Sequence, residues 1–180
     1  MVNKLLKVGE RFRTKYKLVN GAEFYGHVLD IPDTSRVSNF LTARRYLRTN
    51  PFITNVFPSC VVNINGEIYI VGDHGTGFYF SPIYKHFKLF EVDKVVDWYK
   101  VTKTADPVTS VNKTNRVLQS EKVYLSTQPK GVIEDSLHIP QQTFLAISNK
   151  EVSRNDIVDG KIVTKVDYVL GCWLLELKEE

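Results

Sequence analysis

Two short segments of this chain constrain its fold more than any other feature. Asn65-Gly66 lies between Cys60-Val61-Val62-Asn63-Ile64 and Ile68-Tyr69-Ile70-Val71. Asp159-Gly160 lies between Ile157-Val158 and Ile162-Val163-Thr164-Lys165-Val166. Asn-Gly and Asp-Gly are the dipeptides of a two-residue type I′ turn, because both central residues must take positive φ. The flanking runs are rich in β-branched and aromatic residues, which favour a pleated, half-buried surface. One tight hairpin is therefore expected in each half of the chain, within a mostly β fold.

A third turn signal, Asn20-Gly21, separates two further strand patterns. Before it, Arg11-Phe12-Arg13-Thr14-Lys15-Tyr16-Lys17-Leu18 alternates strictly. As a strand, this segment places Arg11, Arg13, Lys15 and Lys17 on one face, and Phe12, Tyr16 and Leu18 on the other. Glu23 to Leu29 is the expected return strand.

A helix is expected near residues 37–48. Val37, Phe40, Leu41 and Leu47 approximate an apolar stripe, Arg44, Arg45 and Arg48 fall on the polar side, and Asn50-Pro51 supplies a stop. Residues 52–100 read as a β-meander. The polar, Thr- and Asn-rich stretch 102–115, with Asp106-Pro107, reads as a linker or long loop. The expected organisation is an N-terminal β lobe over 1–101 and a C-terminal β lobe over 116–180. The fold class is one or two small antiparallel β-barrels of SH3-like or stopper-like type with long loops. The two hairpins point either to a duplication or to the recurrence of turns that any barrel needs.

Charge is uneven. The chain of 180 residues has a net charge of +4, yet residues 1–50 alone hold ten Lys and Arg against four acids. A basic end suggests a polyanion or an acidic protein surface as partner. The candidate contact residues are Arg11, Arg13, Lys15, Lys17, Arg44, Arg45 and Arg48. Phosphate contacts through them would be sequence-independent and salt-sensitive. The aromatic cluster Phe78, Tyr79, Phe80, Tyr84, Phe87 and Phe90 suits either base stacking or a core.

Catalytic and cofactor motifs are not evident. Gly72-Asp73-His74-Gly75-Thr76-Gly77 matches neither a dinucleotide fingerprint nor a P-loop, and it joins two strands rather than leading into a helix. His27, His74, His86 and His138 show no metal-ligand spacing, and no G-x-S-x-G elbow presents a serine. Cys60 and Cys172 form no C-x-x-C pair and read as buried free thiols. No catalytic, cofactor-binding or metal-binding residue is assigned. No apolar run approaches the ~20 residues of a membrane span, and the first residues lack a secretory signal pattern, so a cytoplasmic site of synthesis is expected.

The segment Val62-Asn63-Ile64-Asn65-Gly66-Glu67-Ile68-Tyr69-Ile70-Val71-Gly72-Asp73, followed by an aromatic strand, resembles the central barrel of the small head-to-tail joining proteins of tailed bacteriophages. Asn155-Asp156-Ile157-Val158-Asp159-Gly160-Lys161-Ile162-Val163 is similar. The resemblance covers some 30 residues at the first hairpin. It implies a virion protein of the neck, a stopper, adaptor or tail-completion component, assembled in the host cytoplasm. Such a protein would form a homo-oligomeric ring around the DNA channel and meet portal, adaptor or tail-tube subunits, with non-specific DNA contact and no catalytic residues. The inter-subunit loops would then be Gly72, Asp73, His74, Gly75, Thr76 and Gly77, with Asp106 and Asn112 on the second loop. A nucleic-acid-binding β-barrel using the basic stripe is the alternative.

Overall fold

The computed structural model describes residues 14–30, 45–50, 53–73, 84–105, 112–127 and 143–179. It is mostly β-strand, with no helix among the described residues, and it separates into two compact units. The first comprises Met1–Val92 with Tyr168–Cys172, and the second comprises Asp93–Asp167 with Trp173–Glu180.

The first unit is a closed six-stranded antiparallel barrel. Its strands are β1 (Thr14–Leu18), β2 (Glu23–Asp30), β3 (Arg45–Thr49), β4 (Val61–Ile64), β5 (Glu67–Asp73) and β6 (Lys85–Glu91). The order around the barrel is β1-β2-β3-β6-β5-β4. Two three-stranded meanders, β1-β2-β3 and β4-β5-β6, are thus joined along two seams. One seam pairs Leu47 with Phe87 and Arg48 with His86. The other pairs Lys17 with Asn63 and Leu18 with Val62. Closure leaves no open sheet edge, which removes the commonest site of unwanted pairing.

Alternation decides which side chains fill the barrel. Tyr16, Leu18, Phe24, Leu47, Val62, Ile64, Tyr69, Val71, Phe87 and Leu89 form one buried cluster. The Tyr16 and Phe24 rings meet at 5.8 Å between centroids. At the β4–β5 hairpin Asn65 has φ 55° and Gly66 φ 95°, with Ile64 opposite Glu67. This is the two-residue turn that the dipeptide demands. Asn20-Gly21 works differently. Only Gly21 is at positive φ, and Leu18 N donates to Ala22 O at 2.8 Å, which makes a three-residue turn.

The expected helix near 37–48 is corrected at its C-terminal end. Residues 45–48 are strand, while 37–44 lie outside the described residues. Arg45–Thr49 alternates as well as it spirals, and the barrel selects the alternation. Leu47 and Thr49 are fully buried, and the strand pairs on both sides, with β2 and with β6. Tertiary burial overrides a four-residue helical stripe.

The second unit is an eight-stranded open sheet. Its strands are β7 (Lys94–Val96), β8 (Trp98–Ala105), β9 (Asn112–Leu118), β10 (Val123–Thr127), β11 (Thr143–Ser148), β12 (Ile157–Val158), β13 (Lys161–Val169) and β14 (Cys172–Glu179). They run in the order β7-β10-β11-β14-β13-β12-β8-β9. Val123, Leu125, Ala146, Val152, Val158, Val163, Leu175 and Leu177 form its core, flanked by Trp98, Phe144 and Trp173. Asp159 and Gly160, at φ 51° and 70°, make the second expected type I′ turn. The sheet is open and not a second barrel.

The stretch 102–115, expected as a linker or loop, contributes Thr102–Ala105 to β8 and Asn112–Asn115 to β9. The chain passes between units at Val92–Asp93, and not in that stretch.

Candidate polyanion-binding face of the barrel

Alternation in β1, β2, β3 and the first part of β6 sends every second side chain outward, while Phe90, of the same parity in β6, is buried. The cross-strand register then sets these side chains beside one another. Lys15 faces Tyr25 and Lys17 faces Glu23. His27 faces Arg48, which in turn faces His86. Tyr46 faces Lys88. The outer surface of four adjacent strands is therefore a mixed basic and aromatic face, with Glu23 as the acid among these outward residues.

Arg48 is held in place on this face. Its Nε donates to His86 Nε2, and its guanidinium carbon lies 4.8 Å from the Tyr84 ring centroid. Tyr84 stacks on His86 at 4.5 Å with 20° between planes. A guanidinium stacked on an aromatic ring keeps its charge while losing little rotamer freedom on binding an anion. Lys15 pairs with Glu23, and this ion pair raises the Lys15 pKa and lowers that of Glu23. Partial burial lowers the Lys88 ammonium pKa, against the opposing field of Asp73. Tyr25 is 55% exposed, a flat platform beside Lys15.

Arg45 does not join this face. Its parity matches Leu47, so it points toward the barrel interior at one mouth. Its Nε donates to Asp30 Oδ1 at 2.8 Å, and its Nη1 donates to Glu67 Oε2 and to the Tyr69 hydroxyl. Tyr69, 1% exposed, also donates to Glu67 Oε2. Burial first, then Glu67, pushes the Tyr69 phenol up to about 12. Hydrogen bonds from Tyr69 and Arg45 lower the Glu67 carboxyl, and Glu67 raises Arg45. Each shift moves a titration further from neutral pH. The quartet is a hydrogen-bonded cluster at the barrel mouth, with Tyr69 buried and the Asp30, Arg45 and Glu67 side chains partly in solvent.

The other sequence-derived residues fall as follows. Lys15, Lys17 and Arg48 share the outer face. Arg11, Arg13 and Arg44 lie outside the described residues. Gly72 and Asp73 end β5, and Asp73 N donates to Leu170 O at 2.6 Å. His74, Gly75, Thr76, Gly77 and Asp106 lie outside the described residues. Asn112 opens β9, exposed and opposite Ala105. Of the aromatic cluster, Phe87 and Phe90 are buried and Tyr84 stacks on His86, while Phe78, Tyr79 and Phe80 are not described. Sequence reasoning does not place Tyr25, His27, His86 or Lys88 on this face. The period-2 patterns of Glu23–Leu29 and Lys85–Glu91 are the signal that could find them.

Both cysteines are free. Burial pushes Cys60 up and Cys172 up to about 11, and Cys172 Sγ donates to Val71 O at 3.2 Å. A thiol held protonated in this way is a poor nucleophile. Among the described residues no group of three or more His, Cys, Asp or Glu is placed to hold a metal ion. Among the same residues no helix is long and apolar enough to cross a membrane. Comparison of the chain with protein-family models, curated proteins and solved structures found no match.

Proposed function

We propose that this chain is a non-enzymatic structural protein that joins head and tail in a tailed-phage virion, as a homo-oligomeric ring around the DNA channel. The observation that carries the reading is the unequal treatment of sheet edges. The barrel closes on itself, whereas the second unit ends in β7 and β9, with β9 exposed along its whole length. Head-to-tail contacts between unlike surfaces close rings, and an open sheet edge is a ready surface for one half of such a contact. The β4–β5 hairpin that carries the resemblance to neck proteins is part of the closed barrel, which on this reading is the stopper-like, SH3-like element. The barrel's basic face would meet DNA or an acidic neighbouring ring. Portal, adaptor or tail-tube subunits are the partners, and the virion, assembled in the host cytoplasm, is the location.

The test is mass. Native mass spectrometry of the purified chain, with peptide analysis of purified particles, should return a ring-sized oligomer or a fixed copy number per virion. A monomer at every concentration that is also missing from particles would remove the proposal.

One observation favours a second reading, a nucleic-acid-binding barrel. Lys15, Lys17, Arg48 and Lys88 share one face with Tyr25 and Tyr84, the mixture that tracks phosphates and stacks bases. Single-stranded DNA binding that falls at least tenfold on Tyr25→Ala and Arg48→Ala together supports it. Unchanged binding eliminates it.

A further inference from the structure

The β8–β9 hairpin differs from every other pair in the second unit. Its root is fixed: Trp98 and Tyr99 pair with Val158 and Ile157, and Val101 N donates to Asp156 Oδ1 at 2.9 Å. Asp156, 2% exposed, also accepts from Ser153 N through its other oxygen. Beyond Tyr99, among the described residues, β8 has β9 as its only ladder partner. The ladder continues from Lys100↔Val117 to Ala105↔Asn112. Every residue of β9 is exposed, and in β8 only Trp98 and Val101 are partly covered. At ~3.3 Å per residue, the six pairs past Tyr99 make a ribbon about 20 Å long that is solvated on both faces.

Its composition is one-sided. The described strands carry Lys100, Lys103, Lys113 and Arg116 and no carboxylate. Register puts Lys103 and Arg116 on one face and Lys100 and Lys113 on the other. No two cations stand directly opposite, so the repulsion that would open the ribbon is kept small. The intervening positions are mainly Thr and Asn, whose hydroxyls and amides suit phosphate oxygens and base edges.

We infer that the β8–β9 ribbon is a nucleic-acid arm that enters a groove of duplex DNA and neutralises phosphates on both sides through Lys100, Lys103, Lys113 and Arg116. The major groove is ~12 Å wide and admits a two-stranded ribbon, and cations on both faces are what two flanking phosphate rows require. A protein surface, by contrast, would meet one face and leave the other pair of cations in water. The inference involves the sheet unit and does not rest on the barrel face.

The test uses the full chain with Lys100→Gln, Lys103→Gln, Lys113→Gln and Arg116→Gln combined, its folding checked by circular dichroism. Binding to a 30-bp mixed-sequence duplex is followed by fluorescence anisotropy across a salt series. The wild-type chain should prefer duplex to single strand. The variant should bind the duplex at least tenfold more weakly at 50 mM salt. Its log–log salt slope should be shallower by about 3 to 4, near one unit for each phosphate no longer neutralised. Lys15→Gln with Lys17→Gln should leave most of that slope in place. No duplex binding by the wild-type chain overturns the inference. So does an unchanged slope in the variant, including the case where the variant merely aggregates because the cations serve to guard a bare edge. Loss of affinity for an acidic protein with DNA binding intact overturns it as well.

Discussion

The barrel and the open sheet solve the same problem in opposite ways. Both are antiparallel, both contain a type I′ hairpin, and both bury a continuous aliphatic core. The barrel pairs every strand on both sides and ties Asp30, Arg45, Glu67 and Tyr69 together at one mouth. The sheet leaves two edges and a ribbon whose residues make no core. A finished surface and an unfinished one in a single chain teach where its partners should be sought: on the sheet's edges and arm, with the barrel as the rigid part.

The contrast can be broken first at the cores. Leu47→Ala should cost about 2–5 kcal/mol, because Leu47 is fully buried among Phe87 and Val28 and its loss leaves a cavity. Leu175→Ala should cost a similar amount in the sheet. Urea melts that follow probes in each unit should show each substitution lowering the midpoint of its own unit first. Equal displacement of both probes would mean that the units unfold as one.

Next comes the chain's second crossing into the barrel unit. Leu170 and Gly171 sit at φ 54° and 73°, and a Cβ at Gly171 would fall on Pro58. Ser59 Oγ donates to Gly171 O at 2.6 Å. Gly171→Ala should therefore cost at least ~2 kcal/mol, against about 1 for Gly66→Ala, where space is open and only φ resists. Thermal melts decide it, and equal shifts would refute the packing argument.

Asp156→Ala should cost about 1–3 kcal/mol, since it leaves the Val101 and Ser153 amides without their acceptor. Hydrogen exchange at Val101 and Ser153 should rise together with that loss. If the arm root stays protected, the carboxylate is not its anchor.

The smallest effect is a pH dependence confined to the barrel. Glu67 is held below its ordinary pKa of 4.5, so its folded form favours the carboxylate. Its contribution is complete above the unfolded value and is lost as pH falls from there through the depressed folded value. Glu67→Gln should lower the barrel's melting temperature slightly near neutrality, where the contribution is complete, and the difference from wild type should close as pH falls below about 5. A difference that widens in acid would contradict the role given to the Glu67 carboxylate.

Much of this is legible in residues. Asn65-Gly66 and Asp159-Gly160 announce their turns because positive φ at two successive positions admits few side chains. The alternation of Lys15-Tyr16-Lys17-Leu18 announces a strand and its faces. Leu170-Gly171 gives no such warning: leucine is a poor left-handed residue, and the turn is held by hydrogen bonds that Asp73 N donates to Leu170 O and Ser59 Oγ to Gly171 O, from residues distant in sequence. Arg45 and Arg48 look equivalent, yet they diverge because parity sends one into the mouth and the other outward. The ribbon at 102–105 and 112–115 is hidden because polar strands exposed on both faces carry no hydrophobic period to detect. Backbone pairing makes it visible. Its distinguishing chemistry, four cations without a carboxylate in its described strands, is present in the sequence throughout.

A closed barrel and a ribbon solvated on both faces should differ most in hydrogen–deuterium exchange resolved by segment. In the isolated chain, β3, β5 and β6 should exchange at the rate of global unfolding, while 102–105 and 112–115, beyond the root held by Asp156, exchange orders of magnitude faster, since a lone two-stranded ribbon is marginal in water. Saturating 30-bp duplex should slow exchange in the arm and leave the barrel core unchanged. An arm already as protected as β5 in the free chain, or one indifferent to DNA, would contradict the account.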